Sequence, residues 1–255
     1  MQNPAGLSLM EGAAQSEMRI RIELAAAYRI AALEKLDDGV FNHFSCAVPG
    51  EAGRFLLKPF GPLFEEAHAS GLIKVDLDGH VVAGSGHWEP TAFFIHARIH
   101  RAVPRAMCIM HSHMPYAAAL SSLRDMRILP VNQSSMRYIH RTAYLENYAG
   151  LVLDNAEADR IVAAFAEKDV LLMANHGVMV IGPSVAECLY DLHYFEIAAR
   201  DQWLARNAGM PLRMIDPAVV DLTARQMVEE RRMASQTHLA AMMRRLDRIN
   251  PGYAN

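Results

Sequence analysis

The chain has 255 residues, 52% of them hydrophobic and 21% charged, with a formal net charge of -3. This suits a soluble globular protein with one substantial core. The slight acidity gives nucleic acid no electrostatic reason to bind, and no apolar run reaches the roughly 18 residues of a membrane-spanning helix.

Residues 1–15 show no basic flank before an apolar core, so they read as a flexible tail rather than a secretory segment. A single domain is expected over 16–255. Residues 16–37 place Ile20, Ile22, Leu24, Ala27, Ile30, Leu33 and Leu36 at mostly helical spacing. Ser16 is the expected cap and Asp37-Asp38-Gly39 the stop. A strand follows over 40–48, before the Pro49-Gly50 turn, and another over 55–57, before Pro59. Residues 64–70 read as a helical turn. Asp78-Gly79 is a hairpin signal between 72–76 and 81–82.

The next helix, 91–102, begins after Glu89-Pro90 and puts His96 and His100 on one face. The apolar run 106–110 continues into His111-Ser112-His113 as a buried strand. A short helix at 116–122 follows, and 132–148 is ambiguous. Residues 155–166 form an amphipathic helix. Strands over 169–175 and 178–181 flank His176-Gly177. Ser184 with Glu187 is a capping box opening a helix to 205, and another long helix covers 221–248. Hairpin turns dominate and regular βαβ alternation is missing. The expectation is α/β, with an antiparallel or mixed sheet covered by helices on both faces.

Strand side chains alternate faces, so His111 and His113 project from the same side. His176 closes a second apolar strand. Two strands that each end in histidine bring three imidazoles together, a donor set suited to a divalent metal with positions left open. Zinc is the first expectation, with manganese or iron as alternatives. The three cysteines, Cys46, Cys108 and Cys188, lack metal-type spacing and are expected as reduced thiols in a cytoplasmic protein. Met136, Met173 and Met179 read as core.

Several segments together resemble the class II aldolase/adducin head-domain family. They are Asn42-His43-Phe44-Ser45, Leu56-Leu57-Lys58-Pro59-Phe60-Gly61, the 72–79 hairpin, 96–101, His111-Ser112-His113 with Pro115-Tyr116-Ala117, and Asn175-His176-Gly177. The resemblance covers roughly residues 18–205. It implies a three-layer αβα fold, a divalent metal on three histidines and a homo-oligomer, expected to be a tetramer.

The departures matter as much. Sugar-phosphate aldolases of this family carry Pro-Ser-Ser-Glu before the histidine helix. Its acid/base Glu falls on Ala92 and its two phosphate-holding serines on Pro90 and Thr91. The phosphate-contacting Thr-Gly pair is Phe60-Gly61, and the Gly-Asn of the early loop is Asn42-His43. An unphosphorylated substrate is therefore expected. Relatives that decarboxylate hydroxylated aromatic or pyridine acids make decarboxylation as admissible as aldol cleavage.

Glu89, three residues before Ala92, is a candidate substitute acid/base, or simply a group complementing the helix N-terminus. His43, Tyr138 and His140, with Arg137, are further candidates for proton transfer or carboxylate binding. Glu196 is a candidate to orient a ligand from the last helices, or a solvated helix-face residue. The expected function is a metal-dependent carbon–carbon lyase acting on a small hydroxy- or oxo-carboxylic acid, with no nucleic-acid or membrane partner. The alternatives are a non-catalytic adducin-like interaction domain and a sugar-phosphate aldolase or epimerase.

Overall fold

A computed structural model describes the backbone of residues 4–255 and side chains from Gln15 onward. The first helix, α1, spans Pro4–Leu33. The expected cap at Ser16 is thus helix interior, and helical backbone extends through most of the segment expected as a tail. Once the packed turns around Leu24–Ala31 exist, each further residue adds a hydrogen bond without a new nucleus. The helix ends four residues early because Lys35 adopts a left-handed φ of 58°. Ala25, Ala26 and Ala27 are fully buried, which lets α1 lie close against the sheet. The Tyr28 hydroxyl accepts the Phe44 N–H at 2.9 Å, fixing α1 to the first strand.

Strands β1 (His43–Ala47), β2 (Arg54–Leu57), β3 (Ile73–Asp76), β4 (Val81–Ala83), β5 (Cys108–Ser112), β6 (Thr142–Leu145), β7 (Val170–Met173) and β8 (Gly177–Gly182) form one sheet in the order β4-β3-β2-β1-β5-β8-β7-β6. Every pairing is antiparallel except β6 with β7. That parallel pair is joined by α4 (Asn155–Phe165), the crossover such a pair requires. β6 is the strand inside the ambiguous 132–148 stretch.

Helices cover both faces, as expected. On one side α1, α3 (Pro115–Ser121) and α5 (Val185–Arg206) pack on Phe44, Leu56, Met110, Leu172 and Val180. On the other, α2 (Pro90–Ala102) and α4 bury Ile95, Ile99, Ile161 and Phe165 against Ile109, Leu171, Met179 and Ile181. The last helix, α6 (Pro217–Ile249), lies outside α5. It is anchored by a buried ionic cluster. Asp191 of α5, fully buried, accepts from Arg141 and Arg231, each at 2.6 Å, and Arg231 also meets Glu187 at 2.9 Å. Among the described residues, no helix is long and apolar enough to cross a membrane.

One cysteine expectation fails. Cys46 and Cys108 are register partners across β1 and β5, and their sulfurs are joined as a disulfide, while Cys188 is free and buried. The 62-residue separation hid a contact that only strand register reveals. Thiol titration of denatured, unreduced protein should therefore give one reactive thiol, rising to three after reduction. Three from the start would mean that the pair is reduced.

Candidate metal centre and its pocket

His111 and His113 leave the end of β5, and His176 sits in the three-residue connection from β7 to β8. Their ligand atoms all lie within 4.8 Å of one another. Local sequence explains the convergence. Asn175 adopts a left-handed φ of 55°, a conformation asparagine tolerates better than most residues. Its N–H donates to Ser121 O at 3.0 Å, and the His176 N–H donates to Met173 O at 3.2 Å. Gly177 follows because the chain passes against β5. A Cβ there would lie 2.5 Å from the Ser112 carbonyl oxygen and 3.0 Å from the His113 ring.

The hydrogen bonds fix the tautomers. His111 Nδ1 lies 3.0 Å from Val178 O, and His113 Nδ1 lies 3.0 Å from the Asp38 carboxylate. Both partners only accept, so each Nδ1 carries a proton, and the tautomer so fixed presents Nε2 as the ligating nitrogen. Those two Nε2 atoms face each other at 3.0 Å. Two lone pairs that close repel unless a cation lies between them. The spacing matches two nitrogens each ~2.0–2.1 Å from one ion at an angle near ~90°. Burial pushes His111 well below its ordinary pKa and His176 down to about 4. These two rings are thus held neutral, the form that ligates. This donor set fits a divalent cation.

A cavity of about 250 Å³ opens on the three rings. Phe41, Ile95, Tyr148, Leu151 and Val152 give it an apolar wall, and Asp38, His43, Thr91 and Asn175 add polar groups. Among the described residues, no lysine or arginine lines it.

Among the other candidates, His43 belongs here. It is the register partner of His111, its ring centroid is 4.9 Å from that of His111, and it lines the cavity. Burial, then the neighbouring His113 and His176, push its pKa down to about 3. Glu89 is the N-cap of α2, where its Oε2 accepts from the Ala92 N–H at 2.8 Å and from the Thr91 hydroxyl. It lines a smaller neighbouring cavity that also touches His43 and Lys58. Of the two readings of Glu89, this geometry realises the helix-capping one.

Tyr138 is not at the site. It is fully buried against Phe195, and its hydroxyl donates to Asp191 O at 2.9 Å. Its apolar ring and its reach to α5 make it a core residue. His140 is exposed, with Nε2 2.8 Å from Asp221 of α6, and lines a separate cavity with Arg137 and Arg141. A surface ion partner, not the histidine triad, sets its position. Glu196 accepts the N–H groups of Tyr116 and Ala117 at 2.8 and 2.9 Å. It therefore anchors the chain just after His113.

Asp38 and Asn42 escaped the sequence reading. Asn42 Oδ1 accepts the His113 N–H at 3.3 Å, and its Nδ2 is buried without a partner. Asp38 had looked like a helix stop, and nothing local to it signals a histidine 75 residues away.

Residues 22–203 match the Class II Aldolase and Adducin N-terminal domain. The chain belongs to this family. It is 34% identical to a putative aldolase class 2 protein of Caulobacter vibrioides over 98% of this chain and 97% of that one. It is 35% identical to rat alpha-adducin over 80% of this chain but 28% of that protein. The crystal structure of an aldolase II superfamily protein from Pseudomonas syringae superposes with a TM-score of 0.89 at 34% identity, covering 94% and 96% of the two chains. The fold expected from the resemblance is thereby confirmed.

Two outcomes follow. Gly177→Ala should destabilise the protein by about 1–3 kcal/mol in urea unfolding, because a backbone carbonyl cannot swing aside as a side chain can. A neutral effect would mean that β5 and β8 are not held this closely. The buried histidines also set a pH dependence. His100 and His176 fall from an ordinary 6.5 to about 4 on folding, so below pH 6.5 the unfolded chain binds more protons than the folded one. Stability of metal-free protein should drop as pH falls from about 6.5 to 4, as melting midpoints will show. A flat profile there would contradict neutral burial.

Proposed function

We propose that the protein is a divalent-metal-dependent carbon–carbon lyase acting on an unphosphorylated hydroxy- or oxo-carboxylic acid. The carrying observation is the pair of bare Nε2 atoms, aimed at each other and at His176 across a cavity large enough for a small organic acid. The family to which the chain belongs includes the class II aldolases, which supports the reading.

His111, His113 and His176 would hold the cation, oriented by Val178 O and Asp38. Bound there, the cation supplies Lewis-acid polarisation of a substrate oxygen, the term that stabilises the enolate-like charge left by either retro-aldol cleavage or decarboxylation. The apolar wall excludes water and strengthens that electrostatic term. His43 stands on the cavity wall as the proton acceptor, a role left open by Ala92. Glu89 is less suited, since its carboxylate already serves the helix end. Among the described residues no cationic side chain lines the wall while Asp38 does, which penalises a phosphate dianion more than a monocarboxylate. A non-catalytic adducin-like role is the second reading, favoured by the identity to rat alpha-adducin.

Purified protein should contain about one divalent ion per chain, and the His111→Ala/His113→Ala variant almost none. The loaded protein should turn over a member of a hydroxy-aromatic and oxo-acid panel faster than fuculose or ribulose phosphates. Equal metal in both proteins would overturn the site. Stoichiometric metal with no turnover of any acid would favour the adducin-like reading, and preferred turnover of the sugar phosphates would overturn the substrate class.

A further inference from the structure

Behind the candidate centre, β1 and α2 enclose a continuous row of buried polar groups that starts at His43. His43 Nδ1 lies 2.7 Å from His96 Nε2. His96 Nδ1 meets Ser45 Oγ, and Ser45 Oγ lies 2.8 Å from His100 Nε2. His100 Nδ1 ends the row 3.1 Å from Ala106 O. Ser45 is fully buried and His96 is 1% exposed. His100 stacks on Phe55 at 4.9 Å and borders a further cavity, formed by the 47–54 and 103–107 segments. The sequence pattern is a serine two residues after His43 on a strand, facing two histidines four apart on a helix. That places one hydroxyl between two imidazoles.

The direction of this row follows from its far end. The Ala106 carbonyl only accepts, so His100 carries its proton on Nδ1. A neutral His100 then offers Nε2 as an acceptor, and the Ser45 hydroxyl must donate to it. With its proton spent, Ser45 Oγ accepts from His96, which therefore carries its proton on Nδ1. His96 Nε2 is then bare and accepts from His43 Nδ1–H. Each ring has one proton to place, and each placement forces the next. Burial keeps His96 and His100 neutral, since it pushes both below the ordinary histidine range.

We propose that His96, Ser45 and His100 are positioning residues, a one-way hydrogen-bond chain that locks His43 as its Nδ1–H tautomer and leaves its Nε2 with a lone pair at the candidate centre. A histidine without such a chain exchanges between two tautomers, and only one of them accepts a proton at Nε2. The catalytic value of this lock rests on the lyase reading above, but the lock itself does not. It is a property of the folded protein that can be observed without substrate.

Long-range ¹⁵N–¹H correlation of histidine-labelled protein near pH 7.5 reads the tautomer directly, with the His43 signals assigned by their loss in a His43→Asn variant. In protein as purified, and again with Zn²⁺ added, His43 should show a protonated Nδ1 and a bare Nε2. Ser45→Ala removes the link, and both His43 ring nitrogens should then shift toward the averaged positions of mixed tautomers. Ser45→Thr keeps the hydroxyl and should restore the wild-type pattern. His100→Phe preserves the stack on Phe55 but removes the terminal acceptor, and should mimic Ser45→Ala. A wild-type His43 protonated on Nε2 would overturn the inference. So would a His43 pattern unchanged in both Ser45→Ala and His100→Phe. Failure to bind metal or to turn over any acid would count against the lyase reading and leave this measurement standing.

Discussion

The register of β5 between its two antiparallel neighbours is the constraint on which the candidate centre depends. Pairing His43 with His111 on one side, and Met179 with His111 on the other, puts the imidazoles of two strands on the α2 face. It also sends the chain into β8 immediately beyond His176. A one-residue slip in either pairing would turn His111 into the opposite core. The apolar alternation that resists such a slip is therefore also what holds the donors together. Ile109 and Met110 commit β5 to its faces by burial on opposite sides of the sheet, and the histidines at its end inherit that commitment.

Most of the scaffold was legible because its signals are local. Helix α5 carried its own capping residue, Ser184, in the sequence. The triad was legible because its spacing is also local, two residues apart on one strand and one residue before a glycine. What stayed hidden was non-local. Strand β6 has only four residues and takes its identity from lying beside β7. The partnership of Cys46 with Cys108 needed the β1–β5 register. Asp38 and Asn42 act on the histidine segment from far along the chain, and their own neighbourhoods look like a helix stop and a loop. Tyr138 and His140 misled for the complementary reason. A tyrosine and a histidine near an arginine suggest chemistry, but burial of one and exposure of the other placed them in the core and at α6.

The family supplies the frame, while the chemistry resides in side chains that vary upon it. Here the frame brings three imidazoles together, and Pro90, Thr91 and Ala92 stand where the resemblance to sugar-phosphate aldolases would put their serines and acid/base carboxylate. The replacement groups are not random filler. Ala92 is buried and Thr91 turns its hydroxyl back to the cap. The His43 ring stands at the wall instead. The polar lining of the pocket includes the β1 residue His43, which burial keeps neutral, beside Thr91 of α2.

The buried Asp191 carries a consequence for where this protein can be divided. The family match ends at residue 203, before α6 begins at Pro217. Yet Arg231, from within α6, is one of the two guanidinium groups that neutralise Asp191 inside the matched region, and it also answers Glu187. Cut at the family boundary, the remaining segment would confront Asp169, Asp191 and Glu187 with Arg141, and with Arg105 only at 3.9 Å from Asp169. Stranding charge in a low-dielectric interior is among the costliest changes a fold can suffer, on the order of 3–5 kcal/mol for a broken buried pair. The unit that evolution recognises as a domain is thus smaller than the unit that electrostatics allows to stand alone. The last helix is an integral counter-ion of the fold, not an appendage to it.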